Sequence, residues 1–391
     1  MRIAFYAPFK PLDHPNPSGD LMIGRGIYDF LKKQDHQPRI ISRLRSRWIY
    51  WKPVRLMQAG LEQRRIVNLL KREPVDLWLT YHCYYKAPDL LGPKVCTRLQ
   101  IPYAIIQPSY GTRVSRNWKT RPGFYLNKKA LLTADTLITD RNRDYTNLQR
   151  IIAPDRLQRI KPGLDPKLFS SNKDARNTLR SSWQTGTRPV ILTAAMFRSD
   201  VKTRSLIRLI KSCIRIHGSG QDFLLVIAGD GPEKNRLRRL ADELPDGKVL
   251  FPGQVAREKM YKYYSAADIF AFPGINESLG MVFLEAQSCG LPVIACDNGG
   301  IPEVVVHNST GLLTSLDDES TFDRALLELL TNPEKRKNIG RAAAEYVRTE
   351  HDINKNYLQM EQLLIKTVNS YSMDKENFTT ESTEDTEKKL I

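Results

Sequence analysis

Short runs of consecutive apolar residues, each followed by a segment of helical period, recur through both halves of this 391-residue chain. That alternation restricts the fold more than any other feature. In the first half the strand-like runs are 2–7, 76–80, 103–106 and 137–139, with a helical segment at 21–33. In the second half they are 190–195, 223–228, 249–251, 269–271 and 293–295, interleaved with helical segments at 205–216, 234–243 and 279–288. A strand that is apolar on both faces needs helices on both faces, which is the environment of a parallel sheet. Two such series in tandem predict an α/β chain of two Rossmann-like, doubly wound parallel-sheet domains facing a cleft. The length is also more than one ordinary core accommodates. The polar stretch 170–188 sets the expected boundary: a first domain over 1–170, a linker over 171–186 and a second domain over 187–350. Residues 341–368 read as helical, and 371–391, rich in Thr, Ser and Glu, are expected to be disordered.

Apolar content of 41% with 26% charged residues is that of a globular protein. No window approaches 18 uncharged apolar residues, so no membrane-spanning helix is expected. The apolar run 3–7 is not followed by a signal-peptide core, so the expected location is cytoplasmic. Cys83, Cys96, Cys213, Cys289 and Cys296 form no Cys-x-x-Cys pair, and are expected to be reduced core thiols rather than disulfides or metal ligands.

The net charge of +17 is uneven. Residues 1–180 carry 34 Lys and Arg against 14 Asp and Glu, whereas the remainder carries 26 against 29. The densest basic stretch includes Arg43, Arg45, Arg47, Lys52, Arg55, Arg64 and Arg65, interleaved with Trp48, Tyr50 and Trp51. Three readings fit: a solvated face over a few buried aromatics, an anionic membrane or glycan surface engaged through 43–65, or single-stranded nucleic acid, the least favoured.

The segment 273–286 carries the most chemistry. A strand ends, a loop with Gly274 follows, and a helix is expected to start near Ser278. Free N–H groups at such a helix start, with the helix dipole, attract a phosphate or diphosphate. Glu277 precedes the helix and Glu285 follows eight residues later; at helical rise the two carboxylates stand about 12 Å apart along the axis. A ligand with a hydroxyl-bearing ring on each side of a diphosphate spans that distance, and each carboxylate can accept two bonds from a vicinal diol. Glu285 lies among Phe283, Leu284 and Ala286, where a buried carboxylate requires a partner; otherwise it is an exposed helix residue.

Glu277 and Glu285, followed by Ser288, Cys289, Gly290, Leu291, Pro292 and then Gly299, Gly300, Ile301, Pro302 and Glu303, resemble the signature of GT-B fold glycosyltransferases of family 4. The stretch 223–232 is similar to that family's strand ending in a Gly-Asp-Gly turn, and 249–255 to its strand and loop beside the nucleotide base. The resemblance is detailed over 187–370 and looser over 1–170. It implies a retaining, metal-independent glycosyltransferase without a cofactor, using a nucleoside-diphosphate sugar as donor; the absence of any Asp-x-Asp triplet agrees with that. Glu285 would hold the donor ribose and Glu277 the transferred sugar. The backbone of Ser278, Leu279, Gly280, Met281 and Val282 would meet diphosphate and sugar, and Gly229, Gln254 and Val255 would complete the donor site. Arg198 and Lys202 would neutralise the leaving diphosphate; the family spacing is one residue longer, so Arg204 is a rival to either. The closing helix, 351–370, would cross back to the first domain.

On the acceptor side the resemblance points to Ser18, Gly19 and Asp20, where the family norm is two adjacent glycines; Asp20 serves equally well as a helix cap. His82, just after the strand 76–80, would contact sugar or acceptor, or be a buried, hydrogen-bonded histidine. Many members carry a His after the strand that here is 103–106, and this chain does not. The expected acceptor is a glycan or lipid-linked glycan of lipopolysaccharide or exopolysaccharide type, with the protein peripheral on the inner face of the cytoplasmic membrane. The alternatives are a sugar-nucleotide epimerase of the same fold, or a non-catalytic glycan- or nucleic-acid-binding protein.

Overall fold

Alternate residues of the first-half strands enter two different cores. Ala4, Tyr6, Trp78, Tyr103 and Ile105 join one, while Ile3, Phe5, Leu77, Leu79, Ala104 and Ile106 join the other. A sheet buried on both faces follows. The computed structural model describes residues 1–14 and 19–387, and it divides into two compact units, Met1–Lys161 with Asn356–Ile391, and Pro162–Lys355.

The first unit contains strands β1 (Arg2–Tyr6), β2 (Gln37–Ser42), β3 (Leu77–Tyr81), β4 (Tyr103–Ile106), β5 (Thr136–Thr139) and β6 (Leu157–Arg159), all paired in parallel in the order β2-β1-β3-β4-β5-β6. The order reverses between β1 and β3, so the crevice at their carboxyl ends is the expected ligand position. Helix Gly19–Lys33 closes one face with Leu21, Ile27 and Leu31, and the last helix of the chain adds Met360 and Leu364 to the same core. Behind the end of β3, the fully buried Asp89 accepts from Thr80, Tyr103 and the amides of Leu91 and Gly92. These bonds fix the loop that carries His82. All five cysteines are buried and unpaired.

The second unit contains β7 (Val190–Ala194), β8 (Leu224–Ala228), β9 (Val249–Gly253), β10 (Ile269–Ala271), β11 (Val293–Cys296) and β12 (Gly311–Thr314), again all parallel, in the order β12-β11-β10-β7-β8-β9. This is the doubly wound dinucleotide-binding order, and its switch point lies between β7 and β10.

Four sequence expectations change. The division falls at 161/162, not 170, because Leu164 pairs with His351 and Ile353 through backbone bonds and belongs to the second unit. The expected linker is not irregular: helix Lys173–Ser182 lies within it, capped by Asn172 and tied by Arg176 and Arg180 to Asp268. The helical stretch 341–368 is broken at 351–352, where the His351 ring meets the Pro162 carbonyl at 2.7 Å. The tail expected to be disordered from 371 continues as helix Ile353–Glu387; Tyr371, in that continuation, reaches Gln100 at 3.3 Å.

Candidate functional site

The loops after β7 and β10 meet at the switch point of the second sheet. The Ile275 amide donates to the Ser205 hydroxyl at 3.0 Å, and Lys202 Nζ lies 3.5 Å from Glu277 Oε2. The loop after β7 is itself fixed by the turn after β8: Ala195 and Phe197 donate to the carbonyls of Ala228 and Asp230. Gly229 is required there, because at its φ of +150° a Cβ would stand 1.9 Å from the Ala195 carbonyl oxygen. Arg198 sits at the exposed tip of this loop, touching Met196 Sδ at 3.3 Å, and its carbonyl accepts from Thr203. Lys202 is in the first turn of helix Val201–Gly218, which Asp200 caps. Arg204 lines a cavity of about 490 Å³ that Arg208, Lys211, Leu316 and Ile275 of the same loop also border. The cation that pairs with Glu277 is Lys202.

Helix Met281–Ser288 begins three residues later than expected. Gly280, at φ +72°, stands at its cap position, and 275–280 form an irregular loop. The 12 Å separation expected from helical rise therefore does not apply to Glu277 and Glu285, since half the interval is not helical. In the first turn the Phe283 N–H turns back to the Gly280 carbonyl at 2.9 Å, whereas the Met281 and Val282 N–H groups have no carbonyl in their own helix to bond, and Ser278, Leu279 and Gly280 lead directly into them. The loop is held from outside: Asn298 Oδ1 accepts from the Asn276 amide at 2.8 Å, and Gly300 N donates to the Glu277 carbonyl at 2.9 Å.

Glu285 is buried, and its two oxygens are partnered by Arg257 Nε at 3.2 Å and the Tyr264 hydroxyl at 3.1 Å. Burial raises its pKa above the usual carboxylate range, while Arg257, then the Tyr264 hydrogen bond, act against that rise. Arg257 starts the helix Arg257–Ala266, just past Gln254 and Val255; Gln254 is exposed and Val255 packs on the core. If Arg257 keeps Glu285 ionised, Arg257→Ala should move the acid limb of any Glu285-dependent binding to higher pH, and Arg257→Lys should largely restore it. A ligand-binding pH profile decides this.

In the first unit His82 follows β3 at φ +61°, with its ring 5.2 Å from Phe9 and 5.0 Å from Tyr84. It thus stands beside the β1/β3 switch point. At the end of β4, Gln107 (φ +54°) donates to Asp140 at 2.6 Å, and Ser109 donates to Asp144 at 2.8 Å. Gln107 thus occupies the place where a His was noted as absent. Ser18 lies outside the described residues; Gly19 and Asp20 open the first helix. Among the described residues no group of three or more His, Cys, Asp or Glu is arranged to hold a metal ion.

Sequence reasoning missed Arg257 and Tyr264, which partner Glu285, and Asn298, which holds the loop of Glu277 through the Asn276 amide. A weak signal existed for one: a buried carboxylate demands a cation, and Arg257 is the first cation after β9.

Residues 176–346 match the family model "Glycosyl transferases group 1". The GDP-mannose-dependent alpha-(1-6)-phosphatidylinositol monomannoside mannosyltransferase of Mycobacterium tuberculosis is 35% identical over 203 residues, covering 49% of this chain and 51% of that protein. The chain thus spans about half the length of the curated relatives it matches. Among solved structures, sucrose-phosphate synthase from Thermosynechococcus elongatus matches with a TM-score of 0.69 at 20% identity, over 95% of this chain and 100% of that one. Anabaena HepE in complex with UDP matches with a TM-score of 0.71 at 16% identity, over 94% and 100%. These likenesses establish the GT-B fold.

Proposed function

We propose that this chain, which matches the glycosyl transferases group 1 model over residues 176–346, is a retaining glycosyltransferase that takes its sugar from a nucleoside-diphosphate donor held on the second unit. The observation that carries the reading is the paired placement of Glu277 on Lys202 and Glu285 on Arg257 and Tyr264, on either side of one helix N-terminus at a sheet switch point. In this reading the Glu285 carboxylate accepts the ribose hydroxyls, and Arg257 keeps it charged in spite of burial. The amides of 278–282 and the cations Arg198 and Lys202 neutralise the diphosphate as its bond to the sugar breaks, supplying the charge a metal would otherwise supply. Glu277 holds the transferred sugar. The acceptor hydroxyl enters on the face the diphosphate leaves, so the anomeric configuration is kept. Gln254 and Val255 border the base, and the first unit, with His82 and 18–20, serves the acceptor.

The names of the relatives direct the donor and acceptor to try first: GDP-mannose, and a phosphate-bearing lipid-linked acceptor. The basic first half suits the latter; a lipopolysaccharide- or exopolysaccharide-type acceptor answers to the same charge. The test is thermal shift and transfer with GDP-, UDP- and ADP-sugars. A donor at a hundred times its Kd is expected to stabilise the protein by about 2.7 kcal/mol, and label from that donor to reach a lipid-linked acceptor with its anomeric configuration retained. Stabilisation by none of the three, or release of an epimerised free sugar, sinks the proposal.

A further inference from the structure

Two stretches of the first unit contain no carboxylate at all: 36–61, with six Lys and Arg, and 90–134, with eight. The fold brings parts of them together. Gly123, at the start of helix Arg121–Thr133, packs so closely that a Cβ would stand 2.1 Å from the Tyr85 carbonyl oxygen and 2.4 Å from the Tyr50 ring. That contact sets the segment 118–125 beside 51–58. Trp51 and Trp118 meet edge to face at 5.6 Å, and the Trp51 indole N–H donates to the Lys119 carbonyl at 2.8 Å.

What this surface shows to solvent is apolar. Every residue from Trp51 to Gln58 is exposed. Trp118 is 68% exposed, Val54 and Met57 64% each, Leu61 56%, Tyr125 53% and Trp51 47%. With Leu56, these are seven of the fifteen exposed large apolar side chains among the described residues; their concentration in two short segments exceeds the single scattered apolar residues of an ordinary surface. Cations frame them: Lys119 lies over the Trp118 ring at 5.6 Å and Arg121 over the Tyr125 ring at 5.9 Å. Beside Met57 and Leu61 a cavity of about 560 Å³ is lined by Arg64, Lys94 and Arg98. Part of the basic stretch read from the sequence is not available to this surface. Arg43 pairs with Asp13, Arg65 with Glu62, Arg45 bonds the Phe9 carbonyl, and Trp48 is half-buried against Tyr50 and Tyr85.

We propose that Trp51, Val54, Met57, Leu61, Trp118 and Tyr125 form the face with which this protein docks on a bilayer carrying anionic phospholipid. The apolar side chains enter the boundary between headgroups and acyl chains, while Lys52, Arg55, Lys119 and Arg121 meet lipid phosphates, and the cavity cations receive a headgroup. Tryptophan and tyrosine among cations, without an acid to repel phosphate, is the composition of an interfacial layer. No helix among the described residues is long and apolar enough to cross a membrane. The inference extends the lipid-linked acceptor proposed above, but uses no residue of the donor site.

The test is flotation of the full chain with vesicles of phosphatidylcholine containing about 30% phosphatidylglycerol, at about 0.05 M and about 0.5 M NaCl. Retention is expected at low salt, falling at high salt, with a blue shift of tryptophan emission. Each surface cation contributes a factor of about five, so Arg55→Glu with Arg121→Glu should lower partitioning by more than 25-fold. Trp51→Ser with Trp118→Ser should lower it at least tenfold and abolish the blue shift, while the melting temperature and nucleotide-sugar binding stay at the native values. Failure of the native chain to float, unchanged retention of both variants, or tighter binding of single-stranded RNA than of vesicles overturns the proposal. Loss of nucleotide-sugar binding in the native chain would instead count against the transferase reading alone.

Discussion

Glu285→Gln is expected to remove donor binding while leaving the protein as stable as before. The carboxylate is buried, so its pKa in the folded state is raised. A group of that kind contributes stability that is present below its unfolded pKa and is lost as pH rises through the folded one. At neutral pH Glu285 therefore burdens the fold, and a neutral amide of the same shape relieves it. Tyr264 can still donate to the amide oxygen, and Arg257, about half exposed, remains hydrated. Unfolding is expected to change by less than about 1 kcal/mol. Binding behaves oppositely. Two charge-assisted bonds to a ribose diol contribute about 3 kcal/mol or more together, so the Kd for the nucleotide sugar should rise at least about 100-fold. In the native protein the same affinity should fall on acidification through a pH above the ordinary glutamate range, and in Glu285→Gln that limb should vanish. Calorimetric titration across pH measures both; an unchanged Kd in the variant removes Glu285 from the donor site.

Gly299→Ala should be nearly as damaging, for a different reason. Gly299 has φ +61°, and a Cβ there would stand 2.1 Å from the Glu277 carbonyl oxygen. An L-residue in this backbone region costs about 1–2 kcal/mol, and the collision is with backbone, which cannot rotate aside. The loop 276–279 must shift, taking Glu277 away from Lys202 and the end of helix Met281–Ser288 out of register with it. A displacement of about 1 Å in a positioned group costs about 100-fold in rate. We expect kcat/KM for transfer to fall by that factor or more, with a melting temperature lower by about 5–10 °C. Gly247→Ala is the control: its φ is +77° but nothing lies within 4 Å of the added Cβ, so it carries the backbone cost without touching the site. Equal activity loss in the two variants would show that strain alone, not displacement of Glu277, is responsible.

The strands legible as apolar runs are those in the middle of the sheets and one at an edge, β9. β4 and β10 have the expected limits, and β1, β3, β5, β7, β8, β9 and β11 lie within a residue or two of them. β2, β6 and β12 were not found, and each lies at a sheet edge. An edge strand such as Gln37–Ser42 alternates exposed and half-buried positions over its first four residues, which include Pro38 and Arg39; it has no continuous apolar run to detect. Helix Lys173–Ser182 escaped for a related reason. It buries none of its residues and is tied down by Arg176 and Arg180 through polar bonds to Asp268 and the carbonyls of 265–267. Such bonds join residues some 90 positions apart and leave no periodicity. At the candidate site Glu285 is legible because a carboxylate in an apolar stretch conflicts with its surroundings, and Glu277 because it stands just before an expected helix start, eight residues upstream. Arg257 and Tyr264, the partners of Glu285, and Asn298, which holds the Asn276 amide, are not legible, because only the folded sheet brings them to that switch point.

The last helix has a consequence for how the chain is made. Met360 and Leu364 cover Ile3, Phe5 and Leu77 in a core of the first unit, yet they leave the ribosome after the whole of Pro162–Lys355. Throughout synthesis of the second unit, the first has its sheet but lacks part of the lid over one face. The second unit can complete itself as it emerges; the first is finished only once the helix Ile353–Glu387 has followed it. A nascent chain halted before 356 therefore presents an open apolar sheet, and it is at that stage, rather than in the finished protein, that a holding chaperone has most to bind.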